Sequence, residues 1–271
     1  MDRALPRPLD LPWRRALLIG GLLAIYVPLN MYFITRIEWG PQHTDWQQFL
    51  RLPEAIRDGA LYDADRFIEQ PWVWSPLFAP IMVGVTWLGY WGWVAVKFAA
   101  LTLLWRTPWL IALALASFAF WIDAAAVNVV TLVFVSGALA LRGSRWAAYA
   151  NLALFLFMPR LLQLPMAVYL LWKMPDIRRP FLVGAVIYGL GVLASGYAFD
   201  WITTMLGRAE GVTFYGPQAV FGAGWVLVGI PLAALLAWRG LPGTAGVMAV
   251  PYTVETYWIM PLLDLSRRRS P

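Results

Sequence analysis

The sequence predicts an all-α polytopic membrane protein with about ten transmembrane helices. Of its 271 residues, 61% are hydrophobic and 13% are charged, whereas a soluble domain averages about 45–50% apolar and about 25% charged residues. The charges are unevenly spread and leave many apolar runs, and about 20 apolar residues suffice to cross a bilayer as a helix. These runs do not alternate apolar and polar residues, which favours helices over strands.

The composition also excludes several kinds of chemistry. The chain has no cysteine, so disulfides, thiolate catalysis and cysteine-ligated metals are excluded. A single histidine, His43, leaves little for a histidine-built metal site, so we expect no cofactor, although a divalent ion is compatible with the sequence. The net charge of +6 comes from arginines clustered between apolar runs. This pattern is typical of orientation in a bilayer, so we expect membrane lipids and no nucleic acid as partners.

The first predicted span covers residues 16–34 and is followed by the longest polar stretch, residues 35–70. Arg14 and Arg15 precede the span, which predicts a cytoplasmic N-terminus and an uncleaved anchor helix. The polar stretch then lies outside the cytoplasm. Within it, apolar side chains at helical spacing predict a short amphipathic helix in the membrane interface. These side chains are Trp46, Phe49, Leu50, Pro53 and Ile56.

The remaining apolar segments are short and close together. Residues 72–105 are too many for one span and few for two spans with a loop between them, although the turn at 89–92 could split them. The others are 109–121, 126–141, 147–157, 161–172, 181–198, Trp225–Trp238 and 241–265. Short segments fit tilted neighbours or broken helices around a cavity. We expect one integral-membrane domain over 1–271, with an outer loop at 35–72, core helices at 73–180 and C-terminal helices at 181–271.

Basic clusters predict which segment ends face the cytoplasm. This places the ends near Asp123, Pro159, 200–218 and Glu255 on the outer side. Arg106 also favours the cytoplasmic side, so the number of crossings within 72–105 decides the parity. The clusters are Arg142 with Arg145, Lys173 with Arg178 and Arg179, Arg239, and 267–269.

Polar groups near a membrane are costly and are therefore candidates for function. A carboxylate beside a cation at the outer surface suits transfer from a lipid-linked phosphosugar. The cation stabilises the phosphate leaving group, and the carboxylate takes the proton of the acceptor hydroxyl. The outer candidates are His43, Asp45, Asp58, Asp63, Arg160, Gln163, Glu210, Tyr215, Gln218 and Glu255.

Several short motifs carry a family resemblance. Residues 44–49 (Thr-Asp-Trp-Gln-Gln-Phe), 58–63 (Asp-Gly-Ala-Leu-Tyr-Asp) and 74–77 (Trp-Ser-Pro-Leu) resemble the first outer loop of GT-C-type glycosyltransferases. They resemble in particular the polyprenyl-phosphate-mannose-dependent bacterial mannosyltransferases. Residues 126–128, 157–165 and 251–258 are similar to later motifs of that family. Met158 stands where the family has lysine, and Arg160 offers a cation two residues later.

The resemblance implies an activity and a set of site residues. It implies inverting transfer of a hexose such as mannose from a polyprenyl-phosphate donor to an extracytoplasmic lipid, glycan or protein acceptor. It also implies a multi-pass protein of the bacterial cytoplasmic (inner) membrane. On this sequence, Asp45 would be the general base, Arg160 with His43 would bind the donor phosphate, and Trp74, Tyr62, Gln163 and Glu255 would contact substrate.

Each of these residues also has a simpler interpretation. Asp45 could cap the loop helix in a capping box with Gln48, and Asp58 and Asp63 could serve turns. Arg160 could be an anchor that reaches the interface, and Glu255 could pair with it. Lys97 either reaches the interface or pairs with a buried acid, and Asn128 could bond a neighbouring helix.

Two other functions remain open on the sequence. The short chain and Met158 favour a non-catalytic GT-C-like subunit or scaffold of a larger membrane complex. Broken helices would also fit a transporter or flippase, but transporters usually show repeat symmetry and buried charges on several helices, and neither is evident here.

Overall fold

The computed structural model describes residues 44–67, 72–126, 128–208, 224–250 and 255–266. Throughout these ranges the regular structure is helical and contains no strand, which confirms the all-α prediction. The predicted first span at 16–34 lies outside the described residues, as do His43, Glu210, Tyr215 and Gln218.

Thirteen α-helices and three short 3-10 helices form the described part of the chain. The α-helices are α1 (Thr44–Arg57), α2 (Ala79–Thr86), α3 (Gly89–Thr102), α4 (Pro108–Ala116), α5 (Phe118–Ala125), α6 (Val130–Leu141), α7 (Arg145–Phe157), α8 (Leu164–Lys173), α9 (Arg178–Ala194), α10 (Ala198–Arg208), α11 (Trp225–Trp238), α12 (Pro242–Ala249) and α13 (Leu262–Leu265). The 3-10 helices are Ala64–Arg66, Pro175–Ile177 and Glu255–Ile259.

Fewer helices than predicted are long enough to cross a membrane. Within the described ranges, one stretch, Pro175–Ala194, has the required length and a mean hydropathy of 1.5. The pairs α2–α3 and α4–α5 qualify only if each bent pair counts as one span, and they bend by 106° and 73°. These residues therefore hold one to three candidate spans instead of most of the predicted ten, because breaks divide the apolar runs into pieces shorter than about 20 residues.

The α2–α3 break shows how such a division arises. The sequence predicted a split at 89–92, and the turn lies slightly earlier, at Trp87 and Leu88. Gly89 follows it with a φ of 69°, a left-handed conformation that glycine adopts without a steric penalty. The helix resumes at once, so Gly92 lies inside α3.

Helix α1 is the amphipathic loop helix that the sequence predicted, but its buried face differs from the predicted one. Trp46, Phe49 and Leu52 are buried, whereas Leu50 and Pro53 are exposed. The buried face packs on rings from the following segment and from α3, with ring centroids 5.4 Å apart for Phe49–Trp74 and 5.8 Å for Trp46–Tyr90. We call Trp46, Phe49, Trp72, Trp74, Phe78 and Tyr90 the aromatic cluster.

The basic side chains gather at one end of the bundle, which we call the basic end. Arg142 Nη1 donates to Thr107 Oγ1 at 2.8 Å, which brings the neighbouring Arg106 to the same end. Arg145 Nη2 lies 2.7 Å from Asp176 Oδ2. Arg178 donates to the carbonyls of Leu171 and Trp172 at 2.6 and 3.0 Å. Residues 74–106 therefore connect the aromatic cluster to the basic end, and the number of membrane crossings within them stays a prediction.

Candidate functional site

Arg160 lies between two aromatic rings in the turn that follows α7. Its Cζ atom is 5.7 Å from the centroid of the Trp74 ring and 5.8 Å from that of Tyr257. Its Nη1 is 3.5 Å from Asn128 Oδ1, and its carbonyl accepts from the backbone N–H of Gln163 at 2.9 Å. A partly buried cation over such rings gains about 0.5–2 kcal/mol. The half-buried guanidinium is thus held in place from three sides.

Trp74 links the predicted substrate residues to the aromatic cluster. Its side chain is buried, with 8% exposed, and its backbone carbonyl accepts a hydrogen bond from Tyr62 Oη at 2.7 Å. Tyr62 therefore supports the segment beneath Arg160. The structure places Trp74 in packed surroundings, and stacking of a sugar on its ring stays a prediction.

Four buried polar atoms, on segments that carry or contact this region, have no hydrogen-bond partner in the described part of the chain: Trp74 Nε1, Gln48 Nε2, Gln163 Oε1 and Thr256 Oγ1. Gln48 adjoins Phe49 of the cluster, Gln163 bonds the Arg160 backbone, and Thr256 adjoins Tyr257. A buried polar atom without a partner costs about 1–3 kcal/mol.

The predicted base, Asp45, belongs to the first turn of α1. The helix begins at Thr44, so position 45 lies inside it rather than before it as a cap. Phe49, four residues later and on the same face, packs against Trp74. Position 45 is therefore one helical turn from the cluster that carries Arg160. The side chains of Asp45 and Glu255 lie outside the described residues, and their contacts with Arg160 stay predictions.

Asp63 has the turn role that the sequence allowed for it, whereas the Asp58 side chain forms ion pairs. Asp63 Oδ1 accepts from the backbone N–H of Asp65 at 3.0 Å and caps the 3-10 helix that follows. Asp58 is 3.4 Å from both Arg57 and Arg66. Ion pairs this exposed contribute little stability. Capping and exposed pairing account for both side chains, so neither acid has a geometry that singles it out for catalysis.

A buried ion pair adjoins the site, because Asp123 accepts a backbone hydrogen bond from Asn128, which faces Arg160. Lys97 Nζ is 3.3 Å from Asp123 Oδ2, and both side chains are 0% exposed. Asp123 also accepts from the N–H groups of Val130 and Thr131, at 2.9 and 3.1 Å, and from Thr131 Oγ1 at 2.6 Å. This confirms the interpretation of Lys97 as the partner of a buried acid. The sequence offered no signal that Asp123 was that acid.

The sequence did not single out Tyr257 as a site residue, and it indicated only a helix–helix bond for Asn128. The only signal for Tyr257 was its place in the motif at 251–258. Asn128 was expected to bond a neighbouring helix, and its Oδ1 in fact accepts from the Val129 N–H at 2.9 Å while facing Arg160.

A cavity of about 320 Å³ opens at the basic end, away from Arg160. None of the predicted site residues lines it. Lys173 stands at this cavity with its Nζ 3.9 Å from the centre of the Trp172 ring. The lining residues are Ala140, Leu141, Gly143, Tyr169, Leu170, Lys173 and Met174.

Across the described ranges, no group of three or more histidine, cysteine, aspartate or glutamate side chains could hold a metal ion. No known protein family, curated protein or solved structure matches this chain. The geometry around Arg160 is therefore the basis for assigning a function.

Proposed function

We propose that this protein is an integral-membrane glycosyltransferase that moves a hexose from a polyprenyl-phosphate donor to an extracytoplasmic lipid, glycan or protein. The observation that carries the proposal is the position of Arg160. It is held over Trp74 and Tyr257, and the aromatic cluster connects it to the first turn of α1, which contains Asp45.

The chemistry of the surrounding atoms favours a phosphate ligand. A guanidinium presents planar donors that match phosphate oxygens. Three of the four unpartnered buried atoms, Trp74 Nε1, Gln48 Nε2 and Thr256 Oγ1, are also hydrogen-bond donors. The fourth, Gln163 Oε1, is an acceptor suited to a sugar hydroxyl. Both kinds of atom on these segments are compatible with an anionic, hydroxyl-bearing ligand.

The proposed reaction needs one base and one cation. Asp45 takes the proton of the acceptor hydroxyl as its oxygen attacks the anomeric carbon of the donor. The bond between that carbon and the phosphate oxygen breaks, and polyprenyl phosphate leaves with the bonding electron pair. Arg160 stabilises the negative charge of the leaving phosphate. Attack opposite to the leaving group inverts the anomeric configuration.

Helix α9 offers a path for the polyprenyl chain. Its apolar side chains are largely exposed, and Tyr188 donates from its hydroxyl to Ser75, the neighbour of Trp74. The Tyr188 ring also packs 5.3 Å from Phe157, at the end of α7. The Tyr188 side of α9 thus lies near Trp74, and its exposed apolar side is the opposite face of the helix. Its exposed side chains include Leu182, Val183, Val186, Ile187, Leu190 and Leu193.

Transfer from a radiolabelled polyprenyl-phosphate hexose in isolated membranes tests the proposal. Asp45→Asn should lower the rate by about 100-fold or more, because general-base catalysis contributes about 10²–10⁴-fold. Arg160→Gln should raise the donor KM and lower kcat. Arg145→Gln, which removes an exposed pair at the basic end, is the matched control and should transfer normally. Undiminished transfer by Asp45→Asn at normal expression would reject the assignment.

Two observations favour a second candidate, a non-catalytic membrane subunit. Trp74 is packed inside the protein, and the cavity at the basic end contains no proposed site residue. A stable complex with larger partners, together with no binding of the donor lipid, would support this candidate. Uptake into proteoliposomes without covalent transfer would instead support a transporter.

A further inference from the structure

The buried ion pair of Lys97 and Asp123 has a large desolvation cost. Both side chains are fully buried, and removing two charges from water often costs more than their attraction returns. Lys97 also donates to the backbone carbonyl of Asp123. The proposed reaction gives neither residue a chemical step. A specific structural task would explain why such a pair is present.

The pair closes the turn between α5 and α6. The Asp123 carboxylate accepts from Val130 and Thr131 and so fixes the start of α6. The Asp123 carbonyl, which Lys97 contacts, also accepts from the Asn128 N–H at 3.2 Å. One lysine therefore holds both the side chain and the backbone of Asp123, and through them the position of Asn128.

This turn contacts both halves of the proposed site. On one side, Asn128 Oδ1 lies 3.5 Å from Arg160 Nη1. On the other, the Ala125 carbonyl accepts from Tyr90 Oη at 3.1 Å, and the Tyr90 ring packs on Trp46, the neighbour of Asp45. Tyr90 and Lys97 share one face of α3, since seven residues make about two turns.

We propose that Lys97 and Asp123 form a positioning pair that sets the separation between Asp45 and Arg160. The inference rests on the proposed function. Neither residue touches substrate. They act through Asn128 on the phosphate-binding cation and through Tyr90 and Trp46 on the helix that carries the base.

The decisive variant is Lys97→Met combined with Asp123→Asn. Removing only one partner would leave a lone buried charge, whereas the double variant is neutral and keeps an oxygen to accept at the start of α6. Arg145→Gln with Asp176→Asn is the matched control, because it neutralises an ion pair that is exposed and at the basic end. Tyr90→Phe, which removes a single hydroxyl, is a milder second variant.

The first measurement is independent of catalysis. The chain has no cysteine, so Leu50→Cys and Leu161→Cys, at exposed sites on α1 and beside Arg160, can carry spin labels. Pulsed electron resonance should give one narrow distance in the parent and the control. The distribution should broaden or shift in the Lys97–Asp123 double variant, and less so in Tyr90→Phe. An unchanged distribution in both variants would overturn the inference.

The second measurement separates kcat from KM. A displacement of about 1 Å can cost about 100-fold in rate, so kcat of the double variant should fall about 10- to 100-fold. The donor KM should stay within about twofold because Arg160 is retained. A wild-type kcat in the double variant would overturn the positioning role and leave the Asp45 and Arg160 assignments intact. Absence of transfer by the unmodified protein would reject the proposed function, and the label distances would still decide whether the pair orders the two segments.

Discussion

The hydroxyl of Tyr62 donates to the backbone carbonyl of Trp74 at 2.7 Å. This single bond ties the turn after α1 to the segment that lies beneath Arg160. The Tyr62 ring also packs on Tyr197, with centroids 5.9 Å apart, so residues just beyond α9 reach the same place. The loop that carries the proposed base is thereby fixed to the proposed phosphate site.

Tyr62→Phe removes that hydrogen bond and keeps the ring. We expect the free energy of unfolding to fall by about 1 kcal/mol, seen as a melting temperature lower by about 2–4 °C in detergent. Tyr149→Phe, a tyrosine that packs on Trp146 near the basic end, is the control. Equal melting of Tyr62→Phe and the parent would show that the bond adds no stability.

The same variant should alter the response to alkaline pH. Burial, and then the neighbouring Tyr188, Asp200 and Tyr197, raise the pKa of Tyr62 far above its usual value, which is about 10. The folded protein keeps this proton where the unfolded chain loses it. The resulting stability is fully present below about pH 10 and is lost as the pH rises beyond it. Unfolding measured from pH 8 to 11 should therefore show a shallower alkaline decline in Tyr62→Phe.

Asn128→Asp should weaken donor binding without disturbing the fold. The new carboxylate has nearly the same shape, still accepts from the Val129 N–H, and faces the Arg160 guanidinium. It would compete with phosphate for that cation, so we expect the donor KM to rise about tenfold, equivalent to about 1.4 kcal/mol. Steady-state kinetics with labelled donor measures this. A donor KM equal to that of the parent would place the phosphate elsewhere.

Two glycines make opposite predictions for substitution by alanine. A Cβ on Gly246 of α12 would overlap the backbone carbonyl of Leu162, whereas nothing lies within 4 Å of a Cβ on Gly184 of α9. Gly246→Ala should therefore cost about 1–3 kcal/mol through overpacking. Gly184→Ala should be neutral, or stabilising by up to about 1 kcal/mol. Thermal melts in detergent distinguish the two, and equal melting temperatures would contradict the close approach of α12 to the turn after Arg160.

Cysteine labelling tests the orientation of the protein in the membrane. In the cysteine-free chain, Leu50→Cys on α1 and Trp146→Cys at the basic end both introduce a thiol at an exposed position. An impermeant maleimide added to intact cells should label Leu50→Cys and spare Trp146→Cys until the membrane is opened. The reverse pattern would place the proposed site in the cytoplasm.

Local patterns in the sequence predicted much of the helical structure. The bounds of α11 match its predicted segment, which Gly224 and Arg239 flank. Those of α7 differ from the predicted 147–157 by two residues at the N-terminus, and Pro159 soon follows its C-terminus. The cap formed by Asp63 was likewise readable from its turn. These features depend on residues a few positions away in the chain, so the sequence alone indicates them.

Other features depend on partners far along the chain. Lys97 and Asp123 are on different helices, and either could have paired with another charge. The same holds for Arg160 with Trp74 and Tyr257, because only the fold decides which rings lie under a cation. The bend at Ser117, where α4 ends and α5 begins, also escaped prediction, since an apolar run does not reveal where its helix changes direction.

The bent pairs have a consequence for the lipid around them. With nine and eight residues, α4 and α5 would measure only about 25 Å even if laid end to end, and their 73° bend shortens the pair further. If this pair is one of the proposed spans, a hydrocarbon layer about 30 Å thick would have to thin beside it. Lipids with shorter acyl chains should then suit this protein better than longer ones.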